Sequence, residues 1–370
     1  MEDRIYILIM NLSFYIILLV LQILTPKMTR KNIYFGIRIP EKELENTELK
    51  KIYKEYVFEN IIASIPSIML LSLWAYFYDN IVVVSSLPIF IYIAVLFLVY
   101  LRANRKVKKL KQEENWEKLK EEVVVDMKFS KEKVKAGNIS PWWFLIPIVI
   151  ALLNLAVGLS LAPTLPEKIP SHWDIQGNIN GYMDKTSFIW FMPLLQLGMG
   201  ILYFFMYKTI GWSKQEISSK NPEESVKRNI IFRRTWSIYM LVMGIGMNFL
   251  FTLASLYSFG IIGGSVNTIV SLFFIFTGII IVYSIVISIK VGQGGSRLKL
   301  DGEGEYEEKN RDDDVFWKLG NSIYYNPDDP AIFIEKRFGV GWTVNVGRPL
   351  GMFFMILPFI IIVVILLLSK

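Results

Sequence analysis

The chain has 370 residues, of which 53% are hydrophobic and 20% charged, and a formal net charge of +7. With a mean hydropathy of +0.41 it is too apolar for the soluble domains its length would allow, which places it in the membrane class. The absence of cysteine excludes disulfides, thiol catalysis and cysteine metal sites, and a single histidine, His172, excludes a histidine pair or triad within one protomer.

Crossing a hydrocarbon core of about 30 Å takes roughly 20 apolar residues. Eight runs meet that requirement, near Ile5–Thr25, Phe58–Tyr78, Ile81–Leu101, Trp142–Leu161, Ser187–Tyr207, Thr235–Ser258, Val266–Ile289 and Pro349–Ser369. The first does not read as a cleaved signal peptide: it opens on Glu2 and Asp3 and ends in Thr25-Pro26-Lys27 without a small-residue cleavage site. Thr47–Glu59 reads as a cytoplasmic extension of the second helix. Asn221-Pro222-Glu223-Glu224 reads as an N-cap, a first-turn proline and a capping-box glutamate that start the sixth. The loop after helix three, with Val123-Val124-Val125, reads as a solvated amphipathic helix.

Orientation follows from basic charge. The loops after helices one, three, five and seven hold 36 of the 40 Lys and Arg, leaving only Arg4, Lys168, Lys185 and Lys370 on the other side. Basic loops stay cytoplasmic, so both termini face outward, and the positive balance needs no nucleic-acid partner. The span centres carry no charge, Glu59 lying at a cytoplasmic edge, which argues against an ion-coupled transporter. Asn11, Gln22, Asn154, Gln196, Asn248 and Thr252 read as interhelical hydrogen-bonding groups, worth about 0.6 kcal/mol each. Pro66, Pro88, Pro147 and Pro193 are expected to kink their helices.

The long external loop, Ala162–Thr186, carries Pro163, Pro166 and Pro170, then Ser171-His172-Trp173-Asp174, Gly177, Asn180-Gly181, Tyr182, Asp184 and Lys185. Prolines stiffen its first half, glycines permit tight turns, and Trp173 and Tyr182 suit the headgroup level. His172 and Asp174 are too few for a closed zinc site. Three readings stand open: a cap on the bundle, a ligand- or peptide-recognition element, and a metal site.

These residues carry a resemblance. Leu165-Pro166-x-x-Ile169-Pro170-x-His172-Trp173-Asp174-x-x-Gly177, followed by Gly181 and Lys185, resembles the domain of unknown function found in SdpI-type immunity proteins, bacterial membrane proteins that protect against a secreted toxin. The resemblance implies a ligand-binding role for His172, Trp173, Asp174, Gly177, Gly181 and Lys185, and covers about Trp142–Tyr207. Asn32-x-x-x-Gly36-Ile37-Arg38-x-Pro40 resembles a further segment of that family, although there it follows the outer-loop domain and here it precedes it.

The last cytoplasmic segment starts with Gly292-Gln293-Gly294-Gly295-Ser296-Arg297 and the acidic run Asp301–Asp314. The glycines lack the GK[ST] ending and strand-to-helix context of a phosphate loop, so the stretch reads as a flexible linker. A β pattern follows: strand-like Trp317–Tyr325, a turn at Asn326-Pro327-Asp328-Asp329-Pro330, a strand over Ala331–Lys336, a turn at Gly339-Val340-Gly341, and a strand over Trp342–Val346. Its motif residues Trp317, Tyr325, Asn326, Pro327, Asp329, Arg337, Gly341 and Asn345 resemble a second uncharacterised domain. Asp312–Asp314 are expected to pair reversibly, in solvent, with Arg102, Arg105, Lys106, Lys108 and Lys109.

The expected fold is an all-α polytopic membrane protein with about eight transmembrane helices and a small cytoplasmic β-rich module before the last. Its divisions are 1–141 (three helices and two basic loops), 142–207 (a helix pair with the external loop), 208–290 (helices six and seven), 291–350 (linker and module) and 351–370 (the last helix). The expected function is non-enzymatic, without cofactor or metal: sensing or resisting an extracellular peptide toxin or envelope stress at the bacterial cytoplasmic membrane. The expected partners are the lipid bilayer, an extracellular peptide and a cytoplasmic regulator protein. The alternative is an exporter or channel for a small amphiphilic molecule. No HExxH, GxSxG, intramembrane aspartate pair or Cys–His pair is present to support an intramembrane enzyme.

Overall fold

A computed structural model describes residues 2–116, 138–173, 177–214, 222–298, 300 and 313–368. Val123-Val124-Val125, Asp174, Asn221 and the acidic run from Asp301 to Asp312 lie outside the described residues. The helices are α1 (Glu2–Met28), α2 (Thr47–Phe77), α3 (Ile81–Glu113), α4 (Leu145–Leu161), α5 (Lys185–Trp212), α6 (Pro222–Ser258), α7 (Val266–Val291) and α8 (Pro349–Leu368). Among the described residues, 7 helical stretches, from Arg4–Met28 to Val266–Gly295, are long and apolar enough to span a bilayer, so the chain is a multi-pass membrane protein. α8 adds a shorter apolar stretch, Pro349–Ile360. Helices satisfy every internal backbone polar group without water, which lipid demands. Ile65, Leu70, Phe90 and Phe274 accordingly turn outward.

The chain divides into two compact units. The first comprises Met1–Asp126, Ser213–Arg228 and Ser288–Lys370. In it α1, α2 and α3 pack around Tyr15, Leu71, Tyr92 and Leu96. The apolar stretches carry a few polar groups that bond between helices: Asn11 Nδ2 donates to Val84 O at 2.8 Å, Gln22 Nε2 to Leu96 O at 2.9 Å, and Tyr92 Oη to Ser64 Oγ at 2.8 Å. α2 starts at Thr47 because Asn46 Oδ1 accepts the Glu48 N–H at 2.9 Å, an N-cap. The short strands β1 (Ile33–Tyr34) and β2 (Ile37–Arg38) form an antiparallel hairpin between α1 and α2.

The C-terminal part of this unit corrects the expected strand pattern. Trp317–Tyr325 is two short strands, β5 (Trp317–Lys318) and β6 (Ile323–Tyr324), because Leu319, Gly320 and Asn321 are all left-handed (φ 48°, 66° and 62°) and reverse the chain. β7 (Phe333–Glu335) pairs with β8 (Trp342–Val344), and a bridge from Tyr324 to Asn345 joins the two hairpins. The glycine part of the expected flexible linker is corrected too. Residues 292–296 are buried, and the segment is closed by hydrogen bonds such as Arg297 N to Val291 O at 3.1 Å.

The second unit comprises Met127–Trp212 and Asn229–Ile287. A short 3₁₀ turn, Pro141–Phe144, leads into α4. Glycines let helices approach: a Cβ at Gly158 on α4 would lie 3.2 Å from Ile189 on α5, and one at Gly244 on α6 would lie 3.5 Å from Tyr203 on α5. The loop between α4 and α5 is an antiparallel hairpin of β3 (Lys168–Trp173) and β4 (Ile179–Asp184). Its Ile169 is buried with Leu165, Phe188 and Ile189.

Candidate functional site

The first unit gathers sequence motifs that lie some three hundred residues apart. Phe35 and Gly36 are both left-handed (φ 46° and 81°), as a two-residue hairpin turn requires. A Cβ at Gly36 would stand 2.6 Å from Tyr100 Oη and 2.8 Å from Asn321 Cβ, so only glycine lets this turn seat between α3 and the β5–β6 hairpin. Around it, Asn104 Nδ2 donates to Phe35 O at 2.7 Å and to Asn321 Oδ1 at 3.3 Å, and Tyr100 Oη donates to Gly320 O at 2.8 Å.

Asp313 and Asp314 then collect cations from separate elements. Arg38 on β2 donates from Nε to Asp313 at 3.1 Å, Lys111 at the end of α3 lies 2.7 Å from Asp314, and Arg337 pairs with both carboxylates. Arg337 also donates to Gly36 O at 3.2 Å and lies 5.0 Å over the Trp317 ring. Arg30, past α1, pairs with Glu335 on β7 at 2.7 Å, both side chains buried. Burial alone would raise the Asp314 carboxyl, but the charges and hydrogen bonds of Arg337 and Lys111 outweigh it and hold it below the usual range. The expected solvent-exposed pairing is therefore corrected. Lys106 goes to Glu55 and Glu59 at 2.8 and 2.9 Å, Arg102 stands 3.7 Å from Glu59, Lys109 pairs with Glu113, and the aspartates are enclosed by other cations.

Asn345, fully buried, closes the rest of the module. Its Nδ2 donates to Asn326 O at 2.8 Å, and its Oδ1 accepts the N–H groups of Asn326 and Gly347, each at 3.0 Å. Asp329 takes Lys214 at 2.6 Å and the Tyr324 hydroxyl at 3.0 Å. Burial is the main force pushing Tyr324 up to about 12, with Asp329 adding to it. Gly341 N–H donates to Gln293 Oε1 at 2.7 Å, Pro327 O accepts from Arg348 at 3.2 Å, and Pro40 O accepts the Glu43 N–H at 3.0 Å. The Tyr325 N–H donates to Phe316 O at 2.8 Å, while its ring is exposed.

In the second unit, His172 Nδ1 bonds Asn180 Oδ1 across the hairpin. Gly181 faces His172 in the register, where a Cβ would come 2.8 Å from His172 Cβ. Trp173 lies 5.6 Å from the Tyr257 ring, Gly177 is left-handed (φ 88°), and Lys185 reaches Glu167 at 3.0 Å. Between α4, α5 and α6 runs an uncharged polar ladder. Asn154 Nδ2 donates to Gln196 Oε1 at 2.8 Å and Ser255 Oγ at 3.0 Å, and Gln196 Nε2 donates to Asn248 O and Thr252 Oγ1, each at 2.8 Å.

A domain of unknown function (DUF1648) matches residues 149–197, covering the hairpin and the start of α5. A family of unknown function (DUF5808) matches 327–352, which holds Asp329, Arg337, Gly341 and Asn345. No curated protein and no solved structure matches the chain. The two matches support an uncharacterised membrane family.

Sequence reasoning singled out Gly36, Arg38, Trp317 and Arg337 but not Tyr100, Asn104, Lys111 or Glu335, which complete their contacts. Asn104 carried a usable signal, a lone amide between Arg102 and Arg105 on a basic helix face. Chemically, the cluster is an ion-paired clamp in which both aspartates are engaged by cations from separate elements.

Proposed function

We propose that the chain is a non-enzymatic protein of the bacterial cytoplasmic membrane, akin to SdpI-type immunity proteins, that senses or confers resistance to an extracellular peptide toxin or envelope stress. In this reading eight helices cross, α8 being the last, with both termini and the β3–β4 hairpin outside and the β5–β8 module in the cytoplasm. The orientation rests on the basic loops. An extracellular peptide meets the hairpin, and a cytoplasmic regulator protein meets the module.

The observation that carries the reading is the construction of the hairpin. One face is anchored by buried Ile169, while His172, Asn180 and Tyr182 stand exposed above it. A short, anchored sheet that displays polar and aromatic groups is a preorganised recognition surface. The clamp supports an output role, since it ties the module to the ends of α1 and α3, and only Asn345 to Arg348 separate β8 from α8.

A second reading, an exporter or channel for a small amphiphile, draws on the polar ladder of Asn154, Gln196, Thr252 and Ser255. One experiment separates them. Cells depend on the protein for survival against a panel of membrane-active peptides, and His172→Ala/Tyr182→Ala is compared with Gln196→Leu at matched protein levels. Loss in the hairpin variant alone supports reception. Survival of the hairpin variant with loss in Gln196→Leu rejects reception in favour of transport.

A further inference from the structure

The turn after α7 holds buried donors without acceptors among the described residues. Gly292, Gly294 and Gly295 are left-handed (φ 66°, 62° and 77°), winding the segment tightly. Gln293 is fully buried; its Oε1 accepts the Gly341 N–H, but its Nε2 has no acceptor among the described residues. Arg297 is half-buried and folded back on Gly292, where a Cβ would lie 2.7 Å from Arg297 Cγ. One of its terminal nitrogens reaches Thr29 O at a long 3.4 Å, and its buried Nε has no partner among the described residues. Burial pushes its guanidinium below the usual range. Arg30 beside the turn is committed to Glu335, and Lys336, next in the chain, is exposed. Among the described residues the neighbourhood is thus net positive, and Arg297 Nε and Gln293 Nε2 lack acceptors there.

Its position along the chain says which acceptor. The span Val266–Gly295 ends two residues before Arg297, and the span Arg4–Met28 ends one residue before Thr29. Groups just past span ends lie at headgroup depth, where basic pockets between helices take anionic headgroups. We infer that the Gln293–Arg297 turn binds a phosphate group, with Arg297 as its cation, supplied by an anionic phospholipid of the adjoining leaflet. A phosphodiester oxygen drawn in beside Arg297 accepts from the guanidinium fork and offers Gln293 Nε2 an acceptor.

Free phosphate has the same chemistry, so the test has an arm for each source. Full-length protein is placed in nanodiscs of phosphatidylcholine, with or without a fraction of phosphatidylglycerol and with or without inorganic phosphate. Thermal unfolding is recorded, and retained lipid is read by native mass spectrometry. Phosphatidylglycerol should raise the Tm and stay bound. Arg297→Gln should abolish the shift and weaken retention about tenfold, which is about 1.4 kcal/mol, one charge-assisted hydrogen bond. Gln293→Glu keeps the acceptor for Gly341 and replaces the unpartnered Nε2 donor with a carboxylate oxygen that repels the phosphate, so it should fold yet lose retention; Arg102→Gln, an exposed cation elsewhere, should retain lipid normally. Stabilisation by inorganic phosphate in phosphatidylcholine discs, absent in Arg297→Gln, supports the site with free phosphate as its source. Equal stability in all discs and buffers, or equal retention in Arg297→Gln and the parent, overturns it.

Discussion

Replacing Asp314 with Asn tests whether the clamp holds the module. The side chains of Lys111 and Arg337 are only 5% and 3% exposed, and both rest on this carboxylate. Removing one partner of a buried pair costs about 3–5 kcal/mol because the charges left behind cannot be hydrated. Asp313 still engages Arg337, which argues for the lower end, about 3 kcal/mol. At about 2–4 °C per kcal/mol for a unit of this size, the Tm in detergent should fall by about 6–12 °C. Arg337→Gln should be comparably damaging, and the double variant should lose less than the sum of the singles, a coupling of about 1–3 kcal/mol. The assay is thermal unfolding of the four proteins at matched salt, plus limited proteolysis between β5 and β8. A drop under about 1 kcal/mol, with additive singles and a strong salt dependence, would mean an exposed, reversible contact and would refute the clamp.

Asp314 and Asp329 ionise more readily folded than unfolded, so their contribution is complete above the ordinary value of 3.8 and is lost as pH falls through their lower folded values. Thermal stability should thus fall steeply below about pH 4, and less so in Asp314→Asn. Gly36→Ala forces a Cβ against Tyr100 and Asn321 at positive φ and should cost about 2 kcal/mol or more, measured by the same melts. Gln196→Leu strips the ladder of three hydrogen bonds, leaves Asn154 short of an acceptor, and should lower stability by about 1–3 kcal/mol. Because the chain has no cysteine, impermeant maleimide on intact cells should label Ser171→Cys and a cysteine added after Lys370 but not Ser219→Cys. Labelling at Ser219→Cys overturns the topology.

The helices were legible because their signal is local and one-dimensional. Apolar runs set the spans, the extension of the second helix was placed from Thr47, where α2 begins, Pro222 began α6, and Asn11, Gln22, Asn154 and Gln196 had to find partners in an apolar interior. The site was legible only in parts. Gly36, Arg38, Trp317 and Arg337 stood out as motif members, yet nothing in their spacing placed Arg38 on Asp313 or Arg337 under Gly36. The glycines at 292–295 look by composition like a flexible tether, and only the neighbouring chain shows that they are glycine because Arg30 and Arg228 press against them. Likewise Asp313 and Asp314 look like surface charge until β2, α3 and the β7–β8 hairpin close over them. Hydrophobicity and capping act over a few residues and are written in the sequence itself. An ion pair between residues 38 and 313 depends on burial and geometry that exist only once the whole unit is packed.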